Sequence, residues 1–182
     1  MNKKIRWVIA ILLVIAAGQI KTRLVDVQAS PLSEVPSAAP TPPGFSLVTR
    51  TVDGDTFVAD VNGVEEKVRM VGIDTPEAVD PRKLVQCFAH EASARLHELI
   101  NGQPVRLVSD AKSADRDRYN RLLRYVYAQD GTLVNAEMIN EGYARAYTKF
   151  KFEKPVEFLK LQTAAHAAGR GLWATATCNG GR

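Results

Sequence analysis

The chain of 182 residues has only two cysteines and three histidines, with no CxxC pair and no cluster of histidines. That scarcity excludes a zinc site built from thiolate and imidazole. His90, His97 and His166 fall in helical stretches at no ligand spacing and read as surface residues. There is no internal repeat and no heptad, so the chain reads as a monomer, not as a solenoid or coiled coil. Long apolar runs are missing too. The longest, Trp7 to Gly18, has 12 residues, about 18 Å of helix against a hydrocarbon core of about 30 Å.

Most of the chain also lacks an excess of charge. The formal net charge is +4, yet residues 1–44 hold five of the 24 Lys and Arg (Lys3, Lys4, Arg6, Lys21, Arg23) and two of the 20 acids (Asp26, Glu34), leaving 19 bases against 18 acids beyond them. A general basic field is thereby excluded as the source of any affinity for nucleic acid. Local arginines and a bound cation would have to supply it.

What is present begins with an address. Lys3, Lys4 and Arg6 precede the short apolar run, the pattern of an export signal. Residues 1–24 read as a cleaved signal peptide, with Ala16-Ala17-Gly18 and Val27-Gln28-Ala29 as alternative cleavage sites. The other reading is a membrane anchor through residues 5–20, with the domain outside the cytoplasm. Residues 25–44 carry Pro31, Pro36, Pro40, Pro42 and Pro43 among Ala and Ser and read as an extended tether. One folded domain is expected over 45–182. In a periplasmic or secreted setting, Cys87 and Cys178 are expected to form a disulfide. Closing a loop of 91 positions stabilises by about 4 to 5 kcal/mol in the chain-entropy picture.

Strands are expected at Phe45–Thr51, Phe57–Val61, Val64–Val71, Pro104–Ser109 and Leu122–Ala128. Helices are expected over Phe88–Ile100, with Phe88, Ala92, Leu96 and Leu99 inward, over Asn135–Glu141, and over Pro155–Ala168, with Phe158, Leu161, Ala165 and Ala168 inward. Asn62-Gly63 marks a two-residue hairpin turn between the second and third strands, because both residues tolerate positive φ. Five short strands with helices after the third and the fifth suggest a small α+β barrel.

The hairpin organises the chemistry. Asp53-Gly54-Asp55-Thr56 stands at its open end, and the register puts Asp55 opposite Met70, with Asp74-Thr75-Pro76-Glu77 just beyond. Carboxylates gathered there suit a hard cation, Ca²⁺ or a more hydrated Mg²⁺, far better than Zn²⁺. Arg69, out of phase with Val68 and Met70, supplies a charged fork for a phosphate, and Glu77 a carboxylate able to take a proton from water. Asp-Gly-Asp or Thr-Pro-Glu alone would be an ordinary turn or helix entry; the combination is what carries the signal.

These motifs, followed by Asp117-Arg118-Tyr119-Asn120-Arg121 and the Glu91-Ala92-Ser93 helix start, resemble the staphylococcal nuclease (thermonuclease) family from Phe45 to Trp173. The resemblance implies an OB-type five-stranded barrel with three packed helices. It also implies a calcium-dependent nuclease that hydrolyses DNA and RNA by in-line attack of an activated water and leaves 3′-phosphates. By the same resemblance Asp55, Asp74 and the Thr75 carbonyl are Ca²⁺ ligands, and Glu77 is the general base or orients the water. Arg69 and Arg121 bind the scissile phosphate, and Tyr119 and Tyr147 contact nucleotides. Asn120 stands where the family has Gly. The alternative is a catalytically silent module on the same barrel that binds nucleic acid or protein, and a tethered processing nuclease is a variant of the first reading.

Overall fold

The computed structural model describes residues 41–78 and 84–181. The signal or anchor at 1–24 and the tether up to residue 40 lie outside the described residues. Among the described residues no helix is long and apolar enough to cross a membrane.

Five strands close into a barrel in the order β1 (Ser46–Asp53), β2 (Thr56–Val61), β3 (Val64–Met70), β6 (Leu122–Tyr127), β5 (Pro104–Val108). The β2–β3 hairpin pairs without irregularity from Val61↔Val64 to Thr56↔Arg69. Its turn has Asn62 at φ 56° and Gly63 at φ 84°, as a type I′ turn requires. β1 follows β2 less evenly, with register shifts between Val48 and Arg50 and between Thr51 and Asp53. Bulges of this kind bend a strand and sharpen its twist, which helps a sheet of five strands close on itself.

Alternation fills the interior. Val48, Phe57, Ala59, Val68, Met70 and Val105 are buried on the inner face, while Arg69, out of phase with Val68 and Met70, is partly exposed. β3 and β6 run parallel, Val68↔Leu122 and Arg69↔Leu123. That pairing sets the turn before β6, with Arg121 at its end, beside the strand that carries Arg69.

Three helices cover the barrel: α1 (Ala89–Ile100), α2 (Val134–Asn140) and α3 (Pro155–Ala167). α1 buries Ala89, Ala92, Leu96 and Ile100, a face rotated from the expected one, with Leu99 only half-buried. Phe88 is not in the helix. It precedes it in a left-handed conformation, φ 69° and ψ 14°, and stacks on Tyr143 at 5.3 Å between ring centres. α3 begins at Pro155, where a missing N–H costs nothing; it buries Phe158 and Ala165, whereas Ala168 is exposed.

A second sheet escapes sequence reading. β4 (Ile73–Asp74) pairs with β7 (Arg145–Ala146), Ile73↔Ala146 and Asp74↔Arg145. Two-residue strands are too short for alternation to show. Asn135, fully buried on α2, braces this region: its amide donates to the Val71 carbonyl at 2.9 Å and its Oδ1 accepts the Val126 N–H at 2.9 Å. Cys87 and Cys178 are bonded, with an S–S distance of 2.07 Å.

Candidate active site

The open end of the β2–β3 hairpin draws two acidic segments together. Asp55 is buried and sits opposite Met70, whose N–H donates to the Asp55 carbonyl at 2.9 Å. Its Oδ1 accepts the Thr56 hydroxyl at 3.0 Å, and its Oδ2 accepts the Thr75 N–H at 3.1 Å. Gly54 makes the approach of the two segments feasible, since a Cβ there would lie 2.9 Å from the Thr75 side chain. Burial, and then the charge of Asp55, push the neighbouring Asp53 carboxyl up to about 7.

Arg69 joins the acids. Its Nη1 is 2.6 Å from Asp55 Oδ2, and its Nη2 is 3.5 Å from Asp74 Oδ1. The oxygens of both carboxylates thus converge on one guanidinium. Among the described residues no group of three His, Cys, Asp or Glu side chains gathers to hold a metal. The donor set is two carboxylates and the main chain of Thr75, all oxygen, which fits a hard cation that keeps several waters.

Glu77 follows three residues after Asp74 and is partly exposed. Its N–H donates to Gln86 Oε1 at 2.9 Å, and its carbonyl accepts the Gln86 N–H at 2.9 Å.

The turn before β6 is built on Asp117. Its Oδ1 accepts the N–H groups of Tyr119 and Arg121 at 2.9 and 3.0 Å, and its Oδ2 lies 2.7 Å from Arg121 Nε. Burial pushes the Asp117 pKa up, but the Arg121 guanidinium and these N–H groups outweigh it and hold the carboxyl below its usual value. Asn120 adopts φ 62°, so it takes the left-handed conformation that glycine would take, and its N–H closes the turn on the Asp117 carbonyl at 3.0 Å. Tyr119 is 63% exposed, with the guanidinium groups of Arg118 and Arg121 over its ring at 4.8 and 5.4 Å. It belongs to the rim and not to the core.

Arg69, Asp74, Tyr119, Arg121 and Tyr147 line one groove of about 680 Å³; Asp55, Thr75 and Glu77 are not among its lining residues. Tyr147 is set there by its N–H, which donates to the Gly72 carbonyl at 2.8 Å, and its ring meets Phe150 edge-on at 5.8 Å.

Sequence reasoning missed Lys112, Lys149, Lys151 and Phe150, which line the same groove. The groove is lined by seven Lys and Arg against two acids, Asp74 and Asp117, and although Asp55 and Glu66 behind the lining pair with Arg69 and Arg116, bases still outnumber acids there in a folded part that is nearly neutral. The alternation Lys149-Phe150-Lys151-Phe152, basic with aromatic, was the available signal. Asp110 was missed as well. Buried, it accepts the Tyr125 hydroxyl at 2.5 Å and the N–H groups of Glu153, Lys112 and Ser113 at 2.7 to 2.8 Å, tying together the two loops that carry these lysines.

A family profile described as Staphylococcal nuclease homologue matches residues 67–175. The matched part contains Arg69, Asp74, Thr75, Glu77, Tyr119, Arg121 and Tyr147 and begins after Asp55. Among curated proteins, the chain is 35% identical to the thermonuclease of Staphylococcus hyicus over 129 residues, 69% of this chain and 73% of that protein. It is 41% identical to the thermonuclease of Staphylococcus intermedius over 100 residues, 55% of this chain and 58% of the relative. It is 40% identical to the SPbeta prophage-derived endonuclease YokF of Bacillus subtilis over 126 residues, 68% of this chain but only 42% of that longer protein.

Proposed function

Because the chain belongs to the staphylococcal nuclease family, we propose that it is an exported, calcium-dependent nuclease that cleaves DNA and RNA and leaves 3′-phosphates. The enzyme class, a phosphodiesterase of endonuclease type, follows from the family and from the thermonucleases and endonuclease it resembles. The observation that carries the finer reading is the convergence of Asp55 and Asp74 on Arg69 at the edge of a basic groove that also holds Arg121.

Asp55, Asp74 and the Thr75 carbonyl would hold Ca²⁺. When bound, that ion would supply positive charge for the phosphate oxygens and acidity for the attacking water. Asp117 holds Arg121 through its Nε and Nη2 at 2.7 and 2.6 Å, which turns Nη1 toward the scissile phosphate. The looser end of Arg69, 3.5 Å from Asp74, is the part most readily transferred to a phosphate oxygen. Two guanidinium groups suit the charge that grows on equatorial oxygens during in-line displacement. Glu77 takes the proton of the attacking water or orients that water, and the bond to the 5′-oxygen breaks. Tyr119 and Tyr147 offer faces to the flanking bases.

Export is supported by the basic and apolar start of the chain and by the Cys87–Cys178 bond, which an oxidising compartment preserves. On this reading residues 45–182 are the catalytic domain, acting as a monomer on the far side of a cleaved signal or an anchor.

The test is hydrolysis of single-stranded DNA and of RNA by the full chain in Ca²⁺ and in excess chelator, with the product ends identified. Cleavage confined to the Ca²⁺ arm, with 3′-phosphate ends, is the expected result. Cleavage that survives chelation, or 5′-phosphate ends, would overturn it. A folded chain that binds the strand without cutting it would place it with the silent binding modules.

A further inference from the structure

Glu77 lies in a stretch without regular structure between β4 and α1, a poor place from which to aim a carboxylate. Both its backbone N–H and its carbonyl are nevertheless hydrogen-bonded to one residue, Gln86, through that residue's side-chain Oε1 and its main-chain N–H, each at 2.9 Å. Gln86 is itself fixed. Its carbonyl accepts the Ala89 N–H at the start of α1 at 3.1 Å, and the next residue is bonded to Cys178.

The far side of that bond leads back to the site. The carbonyls of Gly180 and Gly181, just past Cys178, accept from Arg145 Nη2 at 2.9 and 2.8 Å. Arg145 lies in β7 opposite Asp74 of β4, three residues before Glu77. Glu77, Gln86, Cys87, Cys178, the C-terminal segment, Arg145 and Asp74 therefore form a closed circuit of covalent and hydrogen-bonded links. The residue beside the circuit is strained: Phe88, directly after Cys87, holds a left-handed conformation that costs a bulky residue about 1 to 2 kcal/mol and persists only where its surroundings impose it.

We propose that Gln86 is the positioning residue for Glu77, seated by the Cys87–Cys178 bond, so that this circuit aims the Glu77 carboxylate at the attacking water. The proposal rests on the assignment of Glu77 as the residue that activates water. A general base has to sit within hydrogen-bond reach of the proton it takes, and a misplacement of about 1 Å costs on the order of 100-fold in rate. Gln86 touches no reacting atom; its effect runs through the Glu77 backbone and falls on turnover, not on strand binding.

The experiment measures kcat and KM on single-stranded DNA in saturating Ca²⁺ for the full chain and its Gln86→Ala, Gln86→Glu, Cys87→Ser/Cys178→Ser and Glu77→Gln variants. Amide exchange at Glu77 is read in parallel. Gln86→Ala is expected to lower kcat by about 10- to 100-fold with KM within about twofold, and to speed exchange of the Glu77 amide. Gln86→Glu keeps an acceptor oxygen at the same reach and restores kcat to within about threefold of the parent. The double serine variant follows Gln86→Ala in direction.

If Glu77→Gln abolishes turnover but Gln86→Ala keeps the parental kcat, the positioning role is refuted while the assignment of Glu77 stands. If Glu77→Gln keeps parental turnover, the assignment itself fails, and the positioning role with it. A loss in Gln86→Ala that appears in KM, or that Gln86→Glu does not restore, assigns Gln86 to general stability and overturns the proposal.

Discussion

The guanidinium of Arg69 stands 2.6 Å from the carboxylate of Asp55, from which the barrel and the hydrogen bonds of Thr56 and Thr75 shut out water. Removing one partner of a pair held this way leaves a buried charge uncompensated. Arg69→Ala is expected to destabilise the fold by about 3 kcal/mol without Ca²⁺, and part of this loss should return when saturating Ca²⁺ binds the same carboxylates. Urea unfolding of parent and variant, with and without Ca²⁺, checks both statements.

Gly54 is where the two acidic segments touch. A Cβ there would meet Thr75 at 2.9 Å, and Thr75 is buried against the turn. Gly54→Ala is therefore expected to cost about 1 to 3 kcal/mol and to weaken Ca²⁺ binding by spreading Asp55 from Asp74. Calorimetric titration with Ca²⁺ alone reads the second effect without reference to catalysis.

Asp110 has a pH signature. Burial pushes its pKa up, but the Tyr125 hydroxyl and the N–H groups of Glu153 and Lys112 more than offset this and hold it below its ordinary value of 3.8. Because the folded pKa lies below the unfolded one, the carboxylate contributes stability that is present in full well above pH 3.8 and is lost as pH falls through the folded value. Asp110→Asn is expected to cost about 2 to 3 kcal/mol at neutral pH and to flatten the acid limb of the stability curve. Denaturant midpoints between pH 7 and pH 3 test this.

Asn120 holds its turn at φ 62°. Alanine lacks the polar side chain that eases this conformation, so Asn120→Ala is expected to cost about 1 kcal/mol and to loosen Arg121. Asn120→Gly should leave the turn intact. Affinity for a nucleoside bisphosphate, measured by titration, should fall in the first variant and hold in the second.

The sequence was legible where one local cause dominates. Asn62-Gly63 fixes the hairpin and with it the place of Asp55 opposite Met70, beside Arg69; Asn120 could be read because few residues other than glycine and asparagine fit such a turn. Legibility failed where distant segments decide. α1 buries Ala89 and Ile100 beside the expected Ala92 and Leu96, and Phe88 lies before the helix and stacks on Tyr143. β4 and β7 show no pattern because each holds two residues. Nothing in the sequence singles out Asp110 or Asn135, whose partners only tertiary structure supplies, and the basic groove is assembled from loops around positions 112, 118 and 150 whose charges vanish in the near-neutral count of residues 45–182.

The central claim, that Glu77 activates water beside the carboxylates gathered at Arg69, is tested most directly by turnover of single-stranded DNA at saturating Ca²⁺ for the parent and Glu77→Gln, with binding of an uncleavable strand measured alongside. The account predicts a loss of about 10²- to 10⁴-fold in kcat with strand affinity within about threefold. A Glu77→Gln enzyme that cuts within about tenfold of the parent, below the range a lost general base explains, would contradict it.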